Sequence, residues 1–207
     1  MRPLIIAIAG GTGSGKSFLS DKIISNAKGL SGSIIEIDSY YRDLSELSIK
    51  KRESINFDHP NSFEFKLLND HINQVKSGMN VHVPVYDYKT HTRTDRYTTI
   101  HPSDYIIING IMALHSQELR ESFDLSIYID IPNDLRLSRR IKRDMRYRKR
   151  TLNSIISQYL KSVKTMHDRF VQPSMELADL VIEDTGTKEI NDICSRIKIL
   201  YDTYSKK

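Results

Sequence analysis

A run of glycines followed by a lysine and a serine, near the start of the chain, has the pattern of a phosphate-binding loop, G-x-x-x-x-G-K-[ST]. Glycines let the backbone approach an anion closely, so that successive N–H groups converge on phosphate oxygens at the start of a helix. The lysine adds a positive charge for the β- and γ-phosphates, and the serine hydroxyl is a ligand for Mg²⁺. The loop therefore predicts nucleotide binding. Its residues are Gly10, Gly11, Thr12, Gly13, Ser14, Gly15, Lys16 and Ser17.

A carboxylate, Asp38, stands where a second predicted strand, Ser33–Ile37, ends. At that edge of a sheet a carboxylate can face the γ-phosphate and take a proton from an attacking hydroxyl. The alternative is an Asp that caps the next helix. Because the phosphate-binding loop is expected at the same edge, we favour the catalytic role.

Two further segments have residue types suited to a nucleoside. Asp58 could accept hydrogen bonds from a ribose diol while Phe57 packs beside a base; the alternative is a simple turn closed by Pro60. Tyr86, Tyr88 and His91 could stack on a flat ring and hydrogen-bond to its edge; the alternative is an edge hairpin with ordinary tyrosines and a solvated histidine. The residue types alone leave both choices open.

The net charge of +5 is concentrated in one segment, Arg139 to Arg150, which holds eight Lys/Arg and one Asp. Such a segment is a solvated helix face, a nucleic-acid patch, or a lid that closes over ATP with arginines on phosphoryl oxygens. The phosphate-binding loop upstream favours the lid, at about residues 142–152, over RNA binding. We therefore expect no nucleic-acid partner.

The elements that position these residues alternate between strand and helix. Apolar runs predict strands at 4–9, 33–37, 81–88, 105–108, 125–130 and 180–182, with 97–100 as the partner of the third. Helices are predicted after Ser17, over about 63–77 with Ser62 as cap, from about 134, over 152–170 and over 188–204. The predicted fold is a single α/β domain over 1–207, a P-loop NTPase-type parallel sheet with helices on both faces. A β-hairpin at about 81–100, which Pro84 confines to an edge, lies over the nucleoside site.

Composition limits the remaining possibilities. The early apolar run leads into the loop, so we interpret it as a strand and not a signal peptide, and no stretch is long and apolar enough to span a membrane. The lone Cys194 rules out an internal disulfide and suits a reducing compartment. We expect a cytoplasmic protein without a membrane partner.

In order and spacing the motifs resemble those of the phosphoribulokinase/uridine kinase family, and of its uridine–cytidine kinases in particular. The resemblance covers about Ile6 to Ile182 and includes GGTGSGKS, DSYY, NFDHP, PVYDYKTHTR, NGI, RLSRRIKRD, SQY and ADLVI. It implies transfer of the ATP γ-phosphoryl group, with Mg²⁺, to the 5′-hydroxyl of uridine or cytidine. It also implies a homo-oligomer, either a dimer or a tetramer.

The resemblance also implies roles for individual residues. Asp38 would be the general base, and Lys16, Arg143 and Arg148 would act on the phosphates. Asp58 and Arg140 would hold the ribose hydroxyls. Tyr86 and His91 would read the pyrimidine edge. Further nucleoside contacts would come from Tyr41, Phe57, Tyr88, Ile111, Arg150 and Gln158.

Two positions depart from the family pattern. The family usually has Glu-Gly-Ile where this chain has Asn109-Gly110-Ile111, and that Glu helps to organise the Mg²⁺ shell with Ser17. An Asn carbonyl is a weaker partner for a hard dication, so Asp87 or Asp130 is considered as a source of the missing charge. Lys149 stands where the lid commonly has Gly, which predicts a stiffer hinge.

Three other functions remain open from the sequence: a kinase of another small hydroxyl substrate, such as a phosphorylated sugar; a catalytically weak nucleotide-binding regulator, suggested by Asn109; and an RNA-binding protein. Retention of Asp38 and of the nucleoside motifs disfavours the regulator, and the lack of an RNA-binding motif disfavours the last.

Overall fold

The structure is a computed structural model that describes residues 2–205. The described residues form seven strands: β1 Leu4–Gly10, β2 Gly32–Glu36, β3 Val81–Asp87, β4 Thr92–Ile100, β5 Tyr105–Asn109, β6 Leu125–Ile129 and β7 Leu180–Ile182. They also form eight α-helices: α1 Lys16–Asn26, α2 Ile49–Glu53, α3 Phe65–Lys76, α4 Gln117–Arg120, α5 Asn133–Arg148, α6 Leu152–Gln158, α7 Lys164–Met166 and α8 Thr187–Ser205.

Five strands form one parallel sheet in the order β2-β5-β1-β6-β7. Every residue of the central strand β1 is buried, as expected for a strand covered on both faces. Ile5 and Ala7 face a core that includes α3, whereas Ile6 and Ile8 face a core that includes α1 and α8. The predicted parallel α/β sheet with helices on both faces is therefore confirmed.

The carboxyl ends of β1, β2, β5 and β6 lie along one edge of this sheet, because all of its strands run in the same direction. The phosphate-binding loop follows β1, Asp38 follows β2, and Asn109 ends β5. Open α/β sheets bind ligands at this edge. The sheet thus gathers residues that are far apart in the sequence.

The hairpin of β3 and β4 forms a separate two-stranded antiparallel sheet, with an irregularity between Pro84 and Tyr86. The second strand begins at Thr92 and not at Tyr97, so the connection is shorter than the sequence predicted. The turn closes with His91 in the left-handed region, at φ 54°. A short turn fixes the position of His91 more firmly than the expected long loop would have done.

Two helical predictions need correction. The helix after Pro60 begins at Phe65 with Glu64 at its N-cap, whereas the Ser62 hydroxyl donates to Asn56 O at 2.8 Å and caps nothing. The predicted helix over 152–170 continues as a helical segment to Leu177, with π-helical turns at Tyr159–Val163 and His167–Val171. Such turns shift the side chains beyond them around the axis, which a regular helical period cannot anticipate. Among residues 2–205, no helix combines the length and apolarity needed to cross a membrane.

Candidate active site

The phosphate-binding loop is built on glycines that the local backbone requires. Gly10, Gly13 and Gly15 have φ angles of 136°, 78° and 105°, which L side chains rarely adopt. A Cβ atom on Gly13 would lie 2.3 Å from the backbone oxygen of Arg136, so helix α5 packs directly against the loop. The loop leads into the N-terminus of α1, the position where backbone N–H groups and the helix dipole favour an anion.

Lys16 and Asp38 are the charged pair at the centre of the cleft. Lys16 Nζ donates to the backbone oxygens of Gly10 and Gly11, both at 3.0 Å. Loss of hydration lowers the pKa of Lys16 to about 8, although the charges of Asp38 and Glu36 oppose this shift. Burial raises the pKa of Asp38, and the charges of Lys16 and Arg148 oppose that shift. The two opposite charges are therefore near enough to act on each other beside the loop that is expected to hold the phosphates.

Rings from three separate segments meet beside Asp38. Phe57 stacks on His91 with ring centroids 4.6 Å apart and planes at 13°. Tyr41 contacts both Phe57 and Tyr86, with centroids 5.5 and 5.1 Å away. The Tyr86 hydroxyl is buried without a hydrogen-bond partner within residues 2–205, and desolvation lowers the pKa of His91 so that a neutral ring is favoured. The cluster therefore offers flat apolar faces together with unsatisfied polar groups, which suits a nucleobase.

One tyrosine connects this ring cluster to the Asp38 carboxylate. The Tyr88 hydroxyl donates to Asp38 Oδ2 at 3.4 Å, and the Tyr88 ring lies 5.4 Å from that of Tyr86. The Arg148 guanidinium lies over the Tyr88 ring, 5.3 Å from its centroid. The predicted lid, the hairpin and the carboxylate are thus in contact through a single side chain.

Asp58 and a group of polar side chains around Gln158 form the other side of the cleft. Arg140 donates to Thr12 Oγ1 at 3.1 Å and to Gln158 Oε1 at 2.8 Å, and Arg150 donates to the same Gln158 oxygen at 2.6 Å. Asp58 Oδ2 accepts from Ser162 at 3.2 Å. Burial raises the Asp58 pKa, whereas the nearby Arg140 charge lowers it.

Gln158 is partly buried, and its amide oxygen joins Arg140 and Arg150. Ile111 is partly buried against the core, and it lines one small cavity together with Thr12 and Asp58. These side chains connect the phosphate-binding loop to the expected nucleoside side of the cleft.

The basic segment is organised around one acidic side chain, Asp144, which is fully buried. Arg143 Nε donates to its Oδ1 at 2.8 Å, and nitrogens of Arg140, Arg148 and Arg150 lie 3.6, 3.7 and 3.7 Å from its carboxylate. The segment is therefore not a row of independent solvated charges. Asp144 holds four arginines at the mouth of the cleft, as a lid over phosphates would require.

Lys149 ends helix α5 in the left-handed region, at φ 55° and ψ 31°. This conformation favours glycine at the end of a helix, which explains physically why Gly is common at this position. A lysine with the same backbone conformation carries strain and has less backbone freedom than glycine.

The corner at the ends of β2 and β5 combines Ser17, Glu36 and Asn109. Asn109 Nδ2 donates to Glu36 Oε1 at 2.8 Å and to Ser17 Oγ at 3.3 Å. Glu36 is open to the cleft, yet the surrounding protein removes part of its hydration, and this together with the charge of Asp38 raises its pKa to about 7. Glu36 is the acidic side chain hydrogen-bonded to Asn109, whereas Asp87 accepts from Lys89 N and Asp130 from Gln172.

The donor set in this corner fits Mg²⁺ that is shared with a nucleotide. No group of three or more His, Cys, Asp or Glu side chains in the described part of the chain could hold a metal ion by itself. Mg²⁺ in kinases typically keeps several waters and is bound through one or two protein oxygens and the phosphates. A hydroxyl, a carboxylate and an amide at the phosphate-binding loop meet that requirement.

Sequence reasoning missed two residues of this cleft. Glu36 was assigned only to a strand, yet β2 and β5 are paired in register and place it directly beside Asn109. Arg136 is buried and donates to Thr12 O of the phosphate-binding loop at 3.5 Å. On its other side it contacts His167 Nε2 of the helical segment at 2.8 Å. Its spacing of four residues from Arg140 was the available signal, because such residues share one helix face.

This sheet, loop and cleft define a P-loop kinase. The family model described as "Phosphoribulokinase / Uridine kinase family" matches residues 5–191. A uridine kinase of Clostridium novyi (strain NT) is 42% identical over 200 residues, which cover 96% of each chain. A uridine kinase of Streptococcus agalactiae serotype V is 43% identical over 183 residues, which cover 88% of each chain. The protein belongs to the phosphoribulokinase/uridine kinase family.

Solved structures agree on the fold. A possible uridine kinase from Bacillus stearothermophilus superposes with a TM-score of 0.63 at 19% identity, over 88% of this chain and 90% of that one. Phosphoribulokinase from Rhodobacter spheroides superposes with a TM-score of 0.62 at 16% identity, over 90% of this chain and 73% of that one. At these identities the likeness concerns the fold alone.

Proposed function

We propose that this protein is an ATP-dependent uridine/cytidine kinase that transfers the γ-phosphoryl group to the 5′-hydroxyl of the nucleoside. The observation that carries the proposal is the position of Asp38. The charge of Lys16 in the phosphate-binding loop acts on Asp38, and Tyr88 connects Asp38 to a cluster of rings from three segments. A carboxylate there is suited to accept the proton of a hydroxyl that attacks the bound nucleotide. Relatives about 42% identical along nearly the whole chain are uridine kinases, which supports the same substrate class.

Binding and orientation account for most of the proposed mechanism. Tyr41, Phe57 and Tyr86 would enclose the base, with His91 and the Tyr86 hydroxyl forming hydrogen bonds to its edge. Asp58 and Arg140 would hold the ribose hydroxyls, with Gln158 aligning Arg140 and Arg150. Fixing the 5′-hydroxyl in line with the γ-phosphate removes much of the entropic barrier to transfer.

The remaining charges would stabilise the phosphoryl group in transit. Lys16, Arg143 and Arg148 would neutralise the negative charge that spreads over its oxygens. Mg²⁺ would be held at the corner of Ser17 and Asn109 beside the phosphates, where it supplies further charge neutralisation when bound. Closure of the basic segment over the nucleotide would exclude water and limit ATP hydrolysis.

A coupled ADP-release assay across uridine, cytidine, adenosine and ribulose 5-phosphate, with and without Mg²⁺, tests the proposal. We expect Mg²⁺-dependent turnover with the two pyrimidine nucleosides and little with the other acceptors. Turnover with the sugar phosphate alone would support the phosphoribulokinase-like alternative. Nucleotide binding with no turnover on any acceptor would support the regulator. Light scattering tests the proposed homo-oligomer, a dimer or tetramer, as a separate question.

A further inference from the structure

Asn109 is a buried amide whose two ends have different surroundings. Its side chain is 1% exposed, and its Nδ2 donates to both Glu36 Oε1 and Ser17 Oγ. Its Oδ1 has no hydrogen-bond partner among residues 2–205. The reversed amide would place its oxygen against the Glu36 carboxylate, which only accepts, although the Ser17 hydroxyl could donate to that oxygen. The amide is therefore oriented by Glu36, at the cost of a buried unsatisfied oxygen.

Glu36 is the acidic partner in this contact, and the charge of Lys16 acts on its carboxylate from nearby. Within the described part of the chain, no Lys, Arg or His side chain forms an ion pair with Glu36. The side chain is open to the cleft, and Asn109 connects it to the Ser17 hydroxyl. The charge of Lys16 acts on Asp38, the other carboxylate in this region, as well as on Glu36, and Arg148 is a further positive charge that acts on Asp38.

The pairing also explains the residue type at position 109. Glu36 and Asn109 are directly opposite each other on the parallel strands β2 and β5. A donor at position 109 can hold a carboxylate at position 36, whereas two carboxylates at this spacing would repel each other. The two residues are thus complementary, and the negative charge lies on β2.

We infer that Glu36 supplies the carboxylate of the Mg²⁺ site, and that Asn109 positions Glu36 relative to Ser17 without being the principal ligand itself. The inference rests on the proposed function, since Mg²⁺ enters with the nucleotide. A serine hydroxyl and one carboxylate beside the phosphates form a donor set typical of Mg²⁺. A side chain that orients a ligand affects metal affinity about 10–100-fold.

The test measures Mn²⁺ binding to the protein–ADP complex by electron paramagnetic resonance, so that no turnover is needed. We expect Glu36→Gln to raise the Mn²⁺ Kd about 10-fold or more, because the carboxylate is lost while the shape remains. Affinity for metal-free ADP should not fall, since a negative charge near the phosphates has been removed. Asp21→Asn is the matched control: it removes one exposed negative charge on α1, and it should change the Kd by less than about 2-fold.

Two further variants decide the matter even if Glu36→Gln does not fold. Asn109→Glu alone should not tighten Mn²⁺ binding, because it adds a second carboxylate beside the first. The double variant Glu36→Gln, Asn109→Glu should recover the wild-type Kd to within about 3-fold, because it exchanges the two roles. Tighter binding by Asn109→Glu alone, or an unchanged Kd in a folded Glu36→Gln protein, would overturn the inference.

The failure of this inference can be distinguished from failure of the proposed function. If the wild-type protein phosphorylates uridine but Glu36→Gln leaves the Mn²⁺ Kd unchanged, only the role of Glu36 is overturned. A wild-type protein that binds Mn²⁺–ADP through Glu36 but phosphorylates no nucleoside overturns only the proposed substrate.

Discussion

Arg143 donates from Nε to Oδ1 of Asp144 at 2.8 Å, and this buried carboxylate is shared with three other arginines of the basic segment. Asp144→Asn keeps the shape but leaves four positive charges close together without their counter-charge. We expect a loss of about 2 kcal/mol in the free energy of unfolding, less than for a fully buried pair because three of the arginines are partly exposed. Urea unfolding of both proteins measures this loss in the free energy of unfolding. Asp134→Asn, at the exposed start of the same helix, should change stability by less than about 0.5 kcal/mol, and an equal loss in both variants would contradict this role of Asp144.

Asp38→Asn tests the proposed general base. The amide keeps the size of the side chain but cannot accept the hydroxyl proton at neutral pH, so we expect kcat to fall about 100-fold or more. The uridine KM should change much less. Tyr88→Phe serves as the matched control, since it removes only the 3.4 Å hydrogen bond to Asp38 and should cost far less in kcat. A near-normal kcat for Asp38→Asn would exclude this residue as the base.

His91→Ala tests recognition of the base. The substitution removes both the ring that stacks on Phe57 and a hydrogen-bonding edge, so we expect kcat/KM for uridine and cytidine to fall about 100-fold or more. The ATP KM should stay within about 2-fold in the same steady-state measurements. His82 lies in the same hairpin and is exposed, so His82→Ala should leave both the nucleoside kcat/KM and the ATP KM unchanged. Equal use of adenosine and uridine by the wild-type protein would contradict pyrimidine selection by this cluster.

Arg143→Ala and Arg148→Ala test the proposed lid. These charges are expected to act mainly on the transferring phosphoryl group, so each substitution should lower kcat about 10-fold or more, with a smaller change in uridine KM. Arg146→Ala is the control, because Arg146 lies in the same helix and contacts Tyr147 instead of Asp144. If RNA binding is lost in the first two variants while turnover is unchanged, the segment is a nucleic-acid patch.

Lys149→Gly tests the strain at the end of helix α5. The backbone there has φ 55°, which glycine adopts without a steric penalty, so we expect stability to rise by about 1 kcal/mol. Thermal unfolding at several scan rates measures the change. Lys142→Gly, in the interior of the same helix, should destabilise by about 1 kcal/mol. A loss of stability in Lys149→Gly would show that the lysine side chain itself stabilises the helix end.

The sequence by itself determined the class of fold and the chemistry of the loop. The buried strand β1, the glycine positions and the helix after Ser17 are local patterns, and local patterns follow directly from backbone geometry and hydrophobic periodicity. The position of Asp38 at the edge of the sheet was predictable for the same reason, because parallel strands place their carboxyl ends together. The order of the motifs was sufficient to indicate the family.

Only the tertiary structure decided which side chains meet. Glu36 and Asn109 are far apart in the sequence and become neighbours through the register of β2 and β5, which no local pattern specifies. Asp144 was counted as one acid among eight basic residues, yet its complete burial makes it the common partner of four arginines. The amide oxygen of Gln158 is the acceptor that joins Arg140 and Arg150, a contact that helix packing and not residue type decides. Charge and polarity are read from the sequence, but their partners depend on contacts that form only when the chain is folded.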